Sequence, residues 1–251
     1  MNVIRSLPFL AWGVRSMIHL RALKKRIDSA RAGGRWSEEQ ESIRLAQNYW
    51  GPGALGALKG TLNAEHLDRI PDGPVLFVSN HQGYVDIVVF MAAVTMKQHG
   101  FVAKQELERV PYFGNWIPRI RSLMIERDDP RSTLRAFQEG ETWLRQGFSL
   151  VIFPEGTRSK SDTMHAFKKG SLRMATQTGL PIVPVSLSGS WRLFEEKGYP
   201  QPWTVRFYVH EPIMTTGLSK GEIASLNDRV ESVIRAKVDE WNAHSNAPVA
   251  K

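Results

Sequence analysis

Apolar and polar positions follow two rhythms along most of this chain. Residues 75–79, Val-Leu-Phe-Val-Ser, are a short run of apolar and β-branched side chains of the kind a buried strand carries. Asn80 to Gly83 interrupt it, and a second apolar segment, residues 87–94, opens behind Asp86. The pattern predicts a strand, a tight loop and a helix start. From there the rhythms repeat. Strands are expected at residues 101–104, 122–126, 149–153, 182–187 and 204–209, and helices at 131–146, 166–178 and 223–241. A short helix begins at Lys104-Gln105-Glu106-Leu107, and Gly147 and Gly179 close two of the longer ones. Strands alternating with helices of this length predict an α/β fold, a single domain with a mostly parallel central sheet flanked by helices.

The N-terminal region has a different pattern. Val3, Leu7, Leu10, Val14 and Met17 fall on one helical stripe, with Phe9 and Trp12 on the other side. Gly33-Gly34 breaks the helix. Ser37-Glu38-Glu39-Gln40 then reads as an N-cap with acidic residues in the first turn, opening a helix that runs to about Trp50 and ends at Gly51-Pro52-Gly53. A helical hairpin ahead of the main domain is therefore expected. Residues 55–67 are rich in small side chains and show no clear period, and Pro71-Asp72-Gly73-Pro74 is a turn. The expected division is a basic, amphipathic membrane-association segment over residues 1–60, an α/β domain over 61–245 and a flexible tail over 246–251.

Composition sharpens this picture in two places. The 251 residues contain no cysteine, which excludes disulfides, thiolate catalysis and zinc–thiolate sites. The formal charge is +8, and residues 1–35 hold eight Lys and Arg against Asp28 alone. A basic arm suits an anionic membrane surface or nucleic acid. The apolar stretch over residues 7–20 is interrupted by Arg15 and falls short of the roughly 20 residues a membrane-spanning helix needs. With Arg15 inside that run and no small-residue cleavage site after it, a secretory leader fits poorly. A helix lying in the membrane plane fits better, although a helix packed on the protein's own core would carry the same stripe. No nucleic-acid module signature accompanies the basic residues, so a phospholipid surface is the expected partner and nucleic acid is not.

The candidate chemistry starts at His81 and Asp86. Five residues apart on an ideal helix, they would point about 140° from each other. With His81 in the loop and Asp86 in the first helical turn, the carboxylate can fold back onto the imidazole and leave Nε2 as a base. A polar loop histidine beside an aspartate helix cap fits the same spacing. Ligand sites in parallel sheets lie beyond the carboxyl ends of the strands. Four polar clusters fall there: Asn80-His81 with Asp86, Lys104, Arg127, and Glu155-Gly156-Thr157-Arg158. Arg matches phosphate bidentately, Lys adds a point charge, and Gly156 admits a close ligand. Taken singly, Lys104 and Arg127 read as solvated charges at strand ends, and Arg158 can pair internally with Glu155; four such clusters at successive strand ends point to a site. No G-x-S-x-G, P-loop, G-x-G-x-x-G or H-E-x-x-H pattern is present. The set suits proton abstraction from a hydroxyl whose neighbouring phosphate is clamped, followed by attack on an acyl or similar donor without a covalent enzyme intermediate.

Asn80-His81-Gln82-Gly83-Tyr84-Val85-Asp86 and Phe153-Pro154-Glu155-Gly156-Thr157-Arg158-Ser159 resemble the first and third signature blocks of the glycerolipid acyltransferases, most closely the 1-acyl-sn-glycerol-3-phosphate acyltransferases. Lys104-Gln105-Glu106-Leu107 with Pro111 and Gly114, Ile125-Glu126-Arg127, Lys168-Lys169-Gly170 and Pro181-Ile182-Val183-Pro184-Val185 match in the family's order, over about residues 70–215. Two positions depart from it: Glu126 stands where an Asp is usual before the Arg, and Glu211 where a Gly often precedes Pro-Ile. The resemblance implies His81 as general base and Asp86 as the group that orients it. It implies that Lys104, Arg127 and Arg158 hold the acceptor phosphate, and that Glu155, Gly156 and Thr157 belong to the acceptor pocket. The donor would be acyl-CoA or acyl-carrier protein, with no metal or prosthetic group, and the acceptor a lysophospholipid. Another lysophospholipid, a lyso-aminolipid or glycerol 3-phosphate is the alternative acceptor, and a non-catalytic membrane-binding protein the alternative class. The expected location is the cytoplasmic face of the inner membrane, peripheral or monotopic through the N-terminal helices.

Overall fold

The structure, a computed structural model, describes residues 3–110, 114–126 and 129–245. Three helices come first, α1 (Val3–His19), α2 (Arg21–Ala32) and α3 (Trp36–Ala57). The order then runs β1 (Gly60–Glu65), β2 (Leu76–Ser79), α4 (Asp86–Ala93), β3 (His99–Lys104), β4 (Leu123–Ile125), α5 (Pro130–Arg145) and β5 (Ser149–Ile152). It closes with α6 (Arg173–Thr178), β6 (Ile182–Ser188), β7 (Trp203–Val209) and α7 (Lys220–Ser245). The strands form one seven-stranded sheet in the order β1-β7-β6-β2-β5-β3-β4. Every neighbouring pair is parallel except β6 with β7. This is the expected α/β domain with its mostly parallel sheet.

Both faces of the sheet are covered, which is why its central strands read as continuous apolar runs. Phe77, Val151, Val183, Val185 and Phe207 pack with Phe90 and Val89 of α4 and Ile43 and Leu55 of α3. Their strand neighbours Leu76, Val78, Leu150, Ile152 and Ile182 face the other way, onto Leu144 of α5, Met174 of α6 and Val230 and Ile234 of α7. Because β2, β5, β3 and β4 are parallel and adjacent, the loops that follow them emerge at one edge of the sheet.

The N-terminal hairpin forms around Gly34, whose φ of +65° suits glycine, but its details differ from expectation. The first helix divides at Leu20, with the Leu20 N–H still donating to the Ser16 carbonyl at 2.9 Å. The third starts at Trp36 behind Arg35, so Ser37 lies inside it rather than at its cap. Gly51-Pro52-Gly53 does not stop it. A Cβ on Gly51 would come within 2.5 Å of the Met91 backbone, and one on Gly53 within 2.6 Å of the Trp12 ring. At the two glycines neighbouring helices press close, and that packing carries α3 through Pro52 to Ala57. Near the start of the same helix lies a buried ion cluster. Glu39 of α3 accepts from Arg121 Nε and Nη2 at 2.8 and 2.7 Å and from Arg31 Nε of α2 at 2.7 Å. The Arg121 guanidinium also lies over the Trp36, Trp143 and Phe148 rings.

Only Arg173–Thr178 is helical in the stretch expected as a helix over residues 166–178. The Phe167 N–H donates to Glu231 of α7 at 2.9 Å and the Lys168 N–H to the Pro154 carbonyl at 3.0 Å. Gly170 then turns the chain at φ +84°. These bonds to α7 and to the end of β5 replace helical ones. Arg127, Pro111 and the tail over residues 246–251 lie outside the described residues.

Candidate active site

The loop after β2 is built to hold one imidazole. Asn80 anchors it: its Nδ2 donates to the Leu187 carbonyl at 3.0 Å and its Oδ1 accepts from the Leu187 N–H at 2.8 Å, fastening the end of β2 to β6. His81 Nδ1 then meets Asp86 Oδ2 at 2.7 Å. That same oxygen accepts from the Gln82 N–H at 2.7 Å and the Gly83 N–H at 3.0 Å, and Oδ1 accepts from the Ser190 hydroxyl. Asp86 is the first residue of α4, where backbone N–H groups have no partner inside the helix. Fully buried and held by four donors, it keeps a fixed orientation. The His81 ring stacks on Phe153 at 4.2 Å and 16°, and its side chain is 15% exposed. Nε2 has no hydrogen-bond partner among the described residues. An Asp-held imidazole with an open Nε2 is equipped to take a proton.

The loop after β5 closes over this one. The Ser159 N–H donates to the His81 carbonyl at 2.8 Å and the Lys160 N–H to the Gln82 carbonyl at 3.0 Å. Glu155 crosses between the loops, accepting from the His81 N–H at 2.7 Å and the His165 N–H at 2.9 Å. Burial, helped by the charge on Asp86, pushes its carboxyl up to about 7 against those two hydrogen bonds. Gly156 takes φ +68°, and a Cβ there would come 2.8 Å from the Lys168 ammonium. Thr157 is exposed. Arg158 lies 3.5 Å over the Tyr84 ring, and its Nη1 donates to Glu195 Oε1 at 3.2 Å.

The structure thus brings His81, Asp86, Glu155, Gly156 and Arg158 into one corner of the strand edge. Lys104 ends β3, beyond β5 in the sheet, with its ammonium 3.0 Å from Glu106. Arg158 pairs with Glu195 rather than with Glu155, the partner its neighbourhood in sequence offers. Among the described residues no cluster of three or more His, Asp or Glu is arranged to hold a metal ion.

A sequence model of the acyltransferase family matches residues 61–188, half of the chain. The chain belongs to the acyltransferase family. Its 1-acyl-sn-glycerol-3-phosphate acyltransferase relatives include LPAT1 of Arabidopsis thaliana, 33% identical over 61% of this chain and 43% of that protein. A second, from Pseudomonas aeruginosa, is 28% identical over 69% of this chain and 67% of the relative. The chain spans about half the length of the first curated relatives it matches. The crystal structure of the 1-acyl-sn-glycerophosphate (LPA) acyltransferase PlsC from Thermotoga maritima superimposes with a TM-score of 0.80 at 27% identity, covering 100% of this chain and 98% of the other.

In this chain the motifs leave out three supports of the site. Ser190 reaches Asp86 from beyond β6; applying the strand-end rule to β6 as well would have singled it out. Phe153 stands inside a signature block, but nothing in its spacing shows that it floors the imidazole. Glu195 has no sequence signal at all.

Proposed function

We propose that this protein transfers a fatty acyl group from an acyl thioester to the sn-2 hydroxyl of a 1-acylglycerol 3-phosphate, giving phosphatidic acid. The observation that carries the reading is the 2.7 Å contact between His81 Nδ1 and a buried Asp86, in the loop corner that also holds Arg158 over Tyr84. His81 Nε2 takes the proton of the acceptor hydroxyl while its oxygen attacks the thioester carbon. The C–S bond breaks, and the imidazolium returns the proton to the departing thiolate. Asp86 stabilises the imidazolium that forms in between. Arg158 meets the acceptor phosphate, supported by Lys104 and Arg127, and Gly156 lets the headgroup approach the backbone. Thr157, which is exposed, contributes to that pocket, and Glu155 fixes the His81 loop. Acyl-CoA or acyl-carrier protein supplies the acyl group, and the reaction needs no resident cofactor. An apolar cavity lined by Leu20, Trp50, Met91, Phe101, Ile117 and Ile120 shares α4 with the site and receives an acyl chain.

The membrane part of the reading rests on α1. Leu7, Leu10, Val14 and Ile18 are exposed along one stripe, while Trp12 on the other side packs on Trp50. No described helix is long and apolar enough to cross a membrane. The stripe seats the protein in one leaflet, with the basic residues of α2 at anionic headgroups of the cytoplasmic face.

The deciding experiment is acyl transfer by purified protein in mixed micelles. Palmitoleoyl-CoA is the donor, lysophosphatidic acid and lysophosphatidylcholine are parallel acceptors, and His81→Ala is the control. Turnover of lysophosphatidic acid that disappears in the variant is the expected result. Mutant-sensitive turnover of the choline lipid alone would overturn the acceptor. Turnover of neither lipid, with acyl-CoA or with acyl-carrier protein, would refute the enzyme.

A further inference from the structure

Glu195 lies outside every motif of this site, yet its carboxyl group sits inside it. Oε1 accepts from the Tyr84 N–H and, at 3.2 Å, from Arg158 Nη1. Gly83 faces the carboxyl group so closely that a Cβ there would come 2.7 Å from Oε2. That second oxygen is buried with no hydrogen-bond partner among the described residues, and the side chain as a whole is 7% exposed. Buried carboxyl oxygens are normally satisfied, so one left open beside a cation marks a place where a donor is missing.

The reading above puts the acceptor's phosphate on Arg158. Arriving as a dianion, that phosphate would stand against the Glu195 carboxylate, and two like charges at such range repel strongly in a water-poor corner. One proton removes the conflict. Held between Oε2 and a phosphate oxygen, it makes the missing hydrogen bond and cancels one negative charge. We propose that Glu195 is a second ligand of the acceptor's phosphate, joined to it by a single shared proton, so that a phosphate monoester binds together with that proton.

The surroundings agree. Burial raises the Glu195 carboxyl above the usual carboxylate range, and the charge on Asp86 raises it further, against the bonds from Tyr84 and Arg158. The charged groups facing it from other elements are Arg158, in the loop after β5, and Asp86, at the head of α4. On its own segment, Arg192 is taken up by Asp162 at 2.5 Å and Glu196 at 3.4 Å.

This inference rests on Arg158 holding the phosphate, and the test separates the two. KM for lysophosphatidic acid is measured from pH 6 to 9.5 at saturating donor, in wild type, Glu195→Gln, Glu195→Ala and Arg158→Ala. Wild-type KM is expected to rise once pH passes the point where neither free Glu195 nor the free phosphate monoester still carries that proton, approaching about tenfold per pH unit. Glu195→Gln carries a permanent N–H donor, so the alkaline rise disappears and the change falls on KM rather than kcat. Glu195→Ala also loses the rise, but by raising KM at low pH. A flat wild-type KM would overturn the proposal, as would an alkaline rise retained in both Glu195 variants or a loss confined to kcat. Turnover of lysophosphatidylethanolamine that exceeds that of lysophosphatidic acid and vanishes in Glu195→Gln would mean that the oxygen serves an ammonium group instead. An Arg158→Ala variant with wild-type KM would remove the phosphate from this corner, a failure of the underlying reading visible without any Glu195 variant.

Discussion

Replacing Asp86 by Asn tests whether a charge or merely a hydrogen bond stands behind His81. The amide is nearly isosteric, and its oxygen can still accept from the Gln82 and Gly83 N–H groups, at 2.7 and 3.0 Å in the wild type. Ser190 keeps a second acceptor in Gln82 Oε1 at 3.2 Å. Folding should therefore lose only about 1 kcal/mol. Catalysis should lose far more. With His81 protonated during transfer and the carboxylate about 4 Å from its charge, the attraction is about 4 kcal/mol at an effective dielectric constant near 20. With its oxygen kept at the Oδ2 position by those two N–H groups, the amide turns its nitrogen to Ser190, and His81 Nδ1 keeps an acceptor but loses the charge behind it. The expected fall in kcat is about a thousandfold. The assay is transfer from palmitoleoyl-CoA to lysophosphatidic acid in mixed micelles, with thermal unfolding run in parallel. A folded Asp86→Asn protein keeping more than a tenth of wild-type kcat would refute the reasoning.

Other predictions follow from features away from the base. Glu39→Gln leaves the buried Arg121 guanidinium without its counter-charge and should lower stability by about 3 kcal/mol, or about 10 °C in Tm; a shift under 2 °C would mean that the ring contacts suffice. His99 and His210 are both held neutral by burial, with pKa values near 4 against an ordinary 6.5. The unfolded chain takes up their protons first as pH falls, so their contribution to stability is constant above pH 6.5 and is lost from there towards 4, while the raised Glu155 carboxyl acts in the opposite sense below 7. Urea midpoints across that window should fall less steeply for His99→Gln than for wild type, and equal slopes would contradict the assignment. Val14→Glu with Ile18→Glu removes two exposed apolar side chains of α1, at roughly 2 kcal/mol each. Co-sedimentation with anionic vesicles should weaken more than a hundredfold, and undiminished sedimentation would take α1 out of the membrane reading.

The fold was legible wherever one strand or helix decides its own pattern. The runs around Phe77, Val151 and Val183 are buried on both faces, so no polar residue interrupts them. The meeting of His81 with Asp86 was legible too, because only a short loop separates them and a helix start fixes the second. What stayed hidden depends on partners distant in sequence. Gly51-Pro52-Gly53 reads as a stop until Met91 and Trp12 are packed against it. Residues 60–65 form an edge strand in which only Leu62 and Ala64 turn to the core, too few to set a period. Residues 166–172 have apolar spacing that suits a helix, but Glu231 and Pro154 claim their backbone. Ser190 and Glu195 reach the site across more than a hundred residues, a separation no local pattern records.

The cluster around Glu39 decides what kind of part the N-terminal region is. A detachable anchor would hang on a linker and could be shaved off to give a better-behaved catalytic fragment. Here Arg31 of α2 reaches the Pro118 and Arg119 carbonyls as well as Glu39, and Arg121 depends on Glu39 for its counter-charge. Deleting the first three helices would strand that guanidinium against the two rings left to it, Trp143 and Phe148, and uncover the face of α4 on which α3 rests. The arm is masonry as well as the proposed mooring. Its exposed stripe is consequently set at a fixed height and tilt relative to His81, and in the proposed reaction a lipid passing between the two must do the travelling itself.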